Sequence, residues 1–248
     1  MSQTYTLGEG SLTYGRVLRQ AWGMFRRHFW RVGLVALVLF VPPPLLVIML
    51  DGLRASLEAD PGLIRGLGFI IGLLAVTMIR LFGPVVYAGY LDEAVGHEYF
   101  HGRHVRFRDV LRSLPWVRLV IADVVLIVGT VIGLSLFIVP GLIWLTLFVL
   151  IGPVLVQERH GVTDGFSRTF QLARGAWQMI LLLVVTLLVA ENIAHEIVHQ
   201  LLHHSPIWQQ VTAAWIVSAF VGGIVGLVEV ALASELMARS PLEEPSAD

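Results

Sequence analysis

The chain contains no cysteine and no lysine, and charged residues of any kind are scarce. Without cysteine it can form neither a disulfide framework nor a thiolate metal site, and it has no cysteine nucleophile. Only 14% of the 248 residues are charged, whereas a soluble domain carries about a quarter. This scarcity excludes an ordinary soluble enzyme, and the net charge of −1 gives no indication of nucleic-acid binding. Phosphate-binding glycine loops, catalytic serine elbows and dinucleotide fingerprints are also absent from the sequence.

Apolar residues are correspondingly abundant. They make up 56% of the chain, and the mean hydropathy is +0.77. A helix needs about 20 mainly apolar residues to cross a bilayer, and six stretches meet this requirement. The sequence therefore predicts an all-α polytopic membrane bundle with six transmembrane helices, in a single domain over residues 1–239. The predicted spans are residues 32–50, 67–91, 118–139, 142–157, 178–200 and 211–236, followed by an acidic tail, residues 240–248, that we expect to be disordered and cytoplasmic.

The arginines indicate how these spans are oriented. All 17 basic residues are arginine, and 14 of them lie before the first span, after the second, after the fourth or after the sixth. The loops on the other side contain only Arg54 and Arg65, while Arg80 lies inside a span. Because basic residues accumulate in cytoplasmic loops, we expect both termini in the cytoplasm.

Three amphipathic segments lead into the first, third and fifth spans, near residues 11–30, 104–116 and 162–177. Each alternates arginine with apolar residues at helical spacing and ends close to a tryptophan. Such interfacial helices lie in the headgroup region, where basic side chains favour anionic phospholipid. In the first segment Trp22, Phe25 and Phe29 belong to one apolar stripe. The arginines that we expect to contact lipid headgroups are Arg16, Arg19, Arg26, Arg27, Arg106, Arg108, Arg168 and Arg174.

Two proline motifs predict breaks in the helices. The first span contains Pro42, Pro43 and Pro44, which lack backbone donors and must break or kink a helix. Either the broken helix lines a substrate site, as in secondary transporters, or neighbouring helices satisfy the freed carbonyls of a simple kink. Pro140-Gly141 separates two apolar runs and predicts a helical hairpin that turns at the outer face.

A longer pattern extends over residues 139–177. It consists of Pro140-Gly141, Pro153, Gln157-Glu158, Gly165-Phe166-Ser167-Arg168 and Leu172-Ala173-Arg174-Gly175. This pattern resembles the signature of bacterial six-span membrane proteins that are grouped with the membrane domain of glycerophosphoryl diester phosphodiesterases. The resemblance implies a six-span fold, a bacterial cytoplasmic (inner) membrane and an association with lipid or envelope homeostasis. It implies no catalysis, because in that family the phosphodiesterase activity belongs to a separate soluble domain.

The fifth span carries a cluster of histidine and glutamate. His195, Glu196 and His199 match the motif His-Glu-x-x-His, which on a helix presents two imidazoles to zinc and leaves the glutamate to activate a bound water. Glu191 or His203, one turn away on either side, could supply a third ligand. The alternative interpretation needs no metal, because the same polar residues occupy one half of an amphipathic helix.

Three charged residues lie inside predicted spans: Arg80, Asp123 and Glu229. A charge in the middle of a bilayer costs at least about 2.5 to 3.5 kcal/mol, so such groups usually face a partner. We expect Arg80 to pair with Asp123, with Glu229 or with both, since its long side chain can reach toward the cytoplasmic side. The group serves either as a proton or substrate relay in a transporter or as an ion pair that fixes helix packing.

These patterns favour a non-catalytic integral membrane protein with a structural, lipid-interacting or partner-binding role in the bacterial envelope. One alternative is a small-solute or proton-coupled transporter that uses Arg80, Asp123 and Glu229. A second is a zinc-dependent membrane hydrolase, and only that hypothesis requires a cofactor. The expected partners are the bilayer, anionic phospholipid headgroups, and a membrane-protein partner or a second copy of the chain, for which the GxxxG spacing of Gly129 and Gly133 is a weak indication.

Overall fold

The computed structural model describes residues 7–8, 11–39, 51–52, 54–55, 66–69, 83–102 and 106–240. This part of the chain is 88% helical and contains no strand. A π-helical turn, Asp92–Gly96, connects the helix Pro84–Leu91 to the helix His97–His101. The helices are α1 (Tyr14–Leu39), α2 (Pro84–Leu91), α3 (His97–His101), α4 (Phe107–Ser113), α5 (Trp116–Leu136), α6 (Ile138–Phe148), α7 (Ile151–Gln157), α8 (Val162–Arg174), α9 (Trp177–Leu202) and α10 (Ile207–Arg239).

Within the described residues, four helical stretches are long and apolar enough to cross a membrane. They are Trp116–Leu136, Ile138–Gln157, Trp177–Leu202 and Ile207–Arg239. They coincide with the last four predicted spans and by length and composition indicate a membrane protein. Most of the first two predicted spans, including Pro42, Pro43, Pro44 and Arg80, lies outside the described residues, as does the tail from residue 241 onward.

The predicted hairpin is formed by α5 and α6, but its turn lies earlier than expected. Phe137, with an extended backbone (φ −161°, ψ 157°), separates the two helices. Pro140 lies instead in the first turn of α6, where a helix tolerates proline because the first N–H groups have no intrahelical partner. The helices approach closely at two glycines, since a Cβ on Gly133 would lie 2.6 Å from the Cα of Gly141. The face of α5 that carries Gly129 and Gly133 thus packs against α6 of the same chain.

The first helix, α1, packs along α10. Arg16 bonds to Glu235 near one end of the pair, and the indole Nε1 of Trp215 donates a hydrogen bond to the carbonyl oxygen of Leu37 at the other (3.0 Å). α1 extends across the predicted boundary between interfacial helix and span, with a kink at His28, whose backbone is non-helical (φ −119°, ψ 22°). The first predicted interfacial segment therefore packs against the bundle and belongs to the same helix as residues 32–39.

The face of α1 that packs on the bundle differs from the predicted apolar stripe. Val17 and Met24, which lie outside the stripe, are buried together with Phe25 of the stripe, whereas Trp22 and Phe29 of the stripe are exposed. α10 covers the buried face. α1 contains enough apolar residues for two surfaces, one that packs against the bundle and one that faces outward, so its buried face does not coincide with the stripe.

Polar contacts join several helix termini at one end of the bundle, here called the basic end and comprising Arg16, Arg118, Arg168 and Arg239. Arg118 donates hydrogen bonds to the carbonyl oxygens of Arg159 (2.9 Å) and His160 (3.1 Å), so the start of α5 lies beside the end of α7. Arg168 of α8 binds both carboxylate oxygens of Glu158 and the carbonyl oxygen of Ser240. The start of α5, the end of α7, the helix α8 and the end of α10 are therefore neighbours.

Candidate functional site

A cavity of about 370 Å³ lies between α6, α9 and α10, beside the start of α2. Cavities of about 300–1,000 Å³ with mainly apolar walls are typical of small-molecule sites. On α10 the lining extends from Ser218 to Leu232, which at a rise of 1.5 Å per residue is about 21 Å. The wall is largely aliphatic; its residues include Leu145, Val149, Leu183, Val184, Leu187 and Val225.

The end of the cavity farther from the basic end is polar and is called the His195 end; its members are Glu191, Asn192, His195 and Ser218. The Nε2 atom of His195 lies 3.2 Å from the Ser218 hydroxyl oxygen, which connects α9 to α10. The same nitrogen is 3.9 Å from a carboxylate oxygen of Glu191, one turn earlier on α9. This end can exchange hydrogen bonds with a polar group.

Glu229 supplies the carboxylate at the other end of the cavity. It is only 8% exposed and lines the cavity together with Pro84 and Tyr87 of α2. Among the described residues it forms no hydrogen bond or ion pair. Since a buried charge is normally paired or neutralised, Glu229 is a polar group facing an apolar space without a partner in the described part of the chain.

Asp123 has a different role from the one predicted. Its buried carboxylate accepts hydrogen bonds from the backbone N–H groups of Gly83 (2.6 Å) and Val85 (3.4 Å), at the start of α2. The first N–H groups of a helix lack intrahelical partners, and a negative charge there is favourable. Asp123 therefore caps a helix that begins within the predicted second span. The expected pairing with Arg80 lies outside the described residues.

The candidate zinc ligands are divided between two environments. Glu191 and His195 line the cavity, whereas His199 and His203 are exposed. Glu196, the expected base of the motif, is also exposed and accepts a hydrogen bond from the Gln200 side chain (2.8 Å). In the part of the chain that the structure describes, no three histidine, aspartate or glutamate side chains come close enough to hold a metal ion.

A buried polar network near the basic end is not among the features predicted from the sequence. Asp92, only 1% exposed, accepts a hydrogen bond from Gln157 (2.5 Å), which also donates to the Ser234 hydroxyl (3.1 Å). Asp92 follows the predicted second span and lies outside the four candidate spanning helices; burial raises the pKa of its carboxyl to about 8. The signal available in the sequence was Gln157, a polar residue at the end of an apolar run.

A second buried contact near the basic end is formed by Glu235. Its fully buried carboxylate binds Arg16 Nε (2.8 Å) and Gln20 Nε2 (2.7 Å) of α1, and Arg239 lies 3.4 Å away. Two of the arginines expected to contact lipid thus form ion pairs within the protein, Arg16 here and Arg168 with Glu158. The other six remain exposed: Arg19, Arg26, Arg27, Arg106, Arg108 and Arg174.

No protein-family model matches the chain, and comparisons with curated proteins and with solved structures gave no match. The kind of molecule that the cavity can bind is therefore inferred from the residues that line it. They combine a long aliphatic wall with a carboxylate at one end and hydrogen-bonding groups at the other. This arrangement can hold an elongated molecule with an apolar body and a polar group.

Proposed function

We propose that this protein is a non-catalytic integral membrane protein that binds a lipid-like amphiphile in the cavity between α6, α9 and α10. The observation that carries the proposal is the aliphatic wall between two polar groups, Ser218 and Glu229, which are about 16 Å apart by helix rise. An alkyl chain packs against an aliphatic wall by van der Waals contact and leaves no polar group unsatisfied there, so the wall suits an alkyl chain. The polar ends orient the headgroup.

The position of α9 supports access from the bilayer. α9 forms one side of the cavity through Leu183 and Leu187, and its opposite face is exposed at Leu182 and Ile193. A single helix therefore separates the cavity from the surroundings of the bundle. A membrane amphiphile needs to pass only this helix to reach the wall.

The proposal places the chain in the bacterial cytoplasmic (inner) membrane, with six spans and both termini in the cytoplasm. This orientation is supported by the position of Arg16, Arg118, Arg168 and Arg239 together at the basic end, because basic residues favour the cytoplasmic side. The resemblance to the membrane domain of glycerophosphoryl diester phosphodiesterases implies the same membrane and the same number of spans. In this orientation the exposed arginines of α1 and α8 contact anionic headgroups.

The cavity can be tested by filling it. Leu187→Trp adds an indole to the wall, whereas Leu182→Trp makes the same change on the exposed face of α9. Lipid retained by the purified protein is measured by native mass spectrometry. We expect bound lipid in the wild type and in Leu182→Trp, and at least a tenfold loss in Leu187→Trp. Equal retention by the two variants, or no retained lipid in the wild type, would refute the proposal.

A transporter is the second candidate, because Glu229 places a carboxylate against the cavity. A relay through Asp123 is less favoured, since its oxygens are engaged by the start of α2. Uptake of an amphiphile into proteoliposomes, compared with simple binding, distinguishes carrier from binding protein.

The zinc-hydrolase alternative is tested by elemental analysis of the purified protein and of a His195→Ala/His199→Ala double variant. Because His195 lines the cavity whereas His199 is exposed, we expect less than stoichiometric zinc in the wild type and in the double variant. Stoichiometric zinc that disappears in the double variant would revive the hydrolase hypothesis.

A further inference from the structure

We infer that the cavity selects amphiphiles that carry a positive charge, and that the cation pairs with Glu229. This inference rests on the proposed function, because it names the class of molecule that the same cavity binds. The site consists of the Glu229 carboxylate, the aliphatic wall of α9 and α10, and the His195 end.

The first argument is the isolation of Glu229. Its side chain is more than nine-tenths buried and faces the cavity, and no described residue forms a hydrogen bond or ion pair with it. An ionised carboxylate in such a place is costly unless a cation compensates it. The described cavity lining contains no arginine, and a cationic ligand at this wall would supply the compensating charge.

The second argument is the distribution of charge along the cavity. The described lining residue that can become cationic is His195, and it is hydrogen-bonded to Ser218. Ser218 and Glu229 are eleven residues apart, which corresponds to about 16 Å along α10. His195 is therefore at the opposite end from Glu229, and the space between them is aliphatic.

The third argument is repulsion of anions. Asp123 is close enough to Glu229 for the two charges to interact, and Glu191 adds a carboxylate at the His195 end. The carboxylate of Asp123 is already satisfied by backbone N–H groups, so it adds negative potential without needing a cation of its own. A fatty acid or another anionic single-chain amphiphile would meet like charge at the Glu229 end.

Together these features define the ligand class as a single-chain amphiphile with an ammonium group. The ammonium lies at Glu229, and the alkyl chain extends along α9 and α10 toward Ser218. A hydroxyl or amide at the far end of the chain would meet His195 and Ser218.

The test compares three probes with the same alkyl chain: decyltrimethylammonium, decanol and decanoate. Each is offered below its micellar concentration to the purified full chain in nanodiscs of neutral lipid, and binding is measured by equilibrium dialysis against empty nanodiscs. We expect the wild type to bind decyltrimethylammonium at least tenfold more tightly than decanol, and decanoate most weakly.

The variant Glu229→Gln keeps the shape of the side chain and removes its charge. We expect it to bind decyltrimethylammonium no better than decanol and still to bind decanol, which shows that the cavity is formed. Glu196→Gln is the matched control, because Glu196 is exposed on α9 outside the cavity; it should keep the cation preference of the wild type.

The outcomes separate the two proposals. Equal binding of decyltrimethylammonium and decanol, or a cation preference that survives in Glu229→Gln, overturns the inference and leaves amphiphile binding in place. Failure of all three probes to bind the wild type overturns the proposed function and the inference with it.

Discussion

Asp123 holds the backbone N–H of Gly83 at 2.6 Å, and this contact fixes where α2 begins. Gly83 has φ 111°, a conformation that favours glycine, and Pro84, which has no N–H, follows it. The carboxylate thus satisfies backbone donors that water would otherwise bind. In an apolar environment an unsatisfied N–H costs several kcal/mol, so a side-chain acceptor is needed at a helix start inside a membrane.

Replacement of Asp123 by alanine should destabilise the protein. The substitution leaves the N–H groups of Gly83 and Val85 without their acceptor, and each unsatisfied buried group costs about 1–3 kcal/mol. Thermal unfolding in detergent, followed by tryptophan fluorescence, should show a clearly lower midpoint. Asp164→Ala removes an exposed carboxylate from the first turn of α8 and should change the midpoint little. Equal midpoints for the two variants would contradict the capping role.

Glu235 should contribute more to stability than the exposed pair of Arg31 and Glu98. Glu235→Ala leaves the cation of Arg16 beside a buried void, and breaking a buried pair typically costs about 3–5 kcal/mol; the partial exposure of Arg16 brings the expected cost to the lower part of that range. Glu98→Ala breaks a 3.0 Å pair that is more exposed, where losses are usually about 1 kcal/mol or less. Chemical or thermal unfolding of both variants measures the difference. A loss in Glu235→Ala no larger than that in Glu98→Ala would refute the ranking.

The apolar runs of the sequence were sufficient to predict the last four spans, because length and hydropathy alone define a spanning helix. The turn of the α5–α6 hairpin was misplaced because Pro140 marks a break in most contexts but is compatible with the first turn of a helix. Periodicity placed His195 among the polar residues of one helix face. It could not show that α10 would cover His195 and leave His199 exposed.

The candidate site itself was not predictable from local patterns. Asp123 stood out as a charge in an apolar run, but its partner is a pair of backbone amides some 40 residues earlier, and backbone amides carry no sequence signature. Glu229 stood out for the same reason. Its exposure to a cavity follows only from the way α6, α9 and α10 pack, which depends on side-chain fit across distant segments.

Asp92 should make stability depend on pH. Burial raises the pKa of its carboxyl from the ordinary 3.8 to about 8 in the folded protein, so the folded state binds this proton more tightly than the unfolded state does. The stabilisation is complete below about pH 4 and is lost as the pH rises toward 8, by up to about 1.4 kcal/mol per pH unit. The unfolding midpoint should therefore fall over this range, and Asp92→Asn should reduce the slope. Asp109→Asn, an exposed change on α4, should keep it; an unchanged slope in Asp92→Asn would refute the assignment.

The contact between Gly133 and Gly141 should not tolerate a side chain. A Cβ on Gly133 would lie 2.6 Å from the Cα of Gly141, and because the obstacle is backbone, α5 and α6 must separate to accommodate it. We expect Gly133→Ala to lower the unfolding midpoint, with a cost of about 1–3 kcal/mol as for other overpacked sites. Gly15→Ala is the control: no atom lies within 4 Å of its Cβ position in α1, so the higher helix propensity of alanine should leave stability unchanged or raise it by up to about 1 kcal/mol. If Gly133→Ala behaved like Gly15→Ala, the hairpin would not be held by this close approach, and the small-residue face of α5 would be free to contact a second copy of the chain.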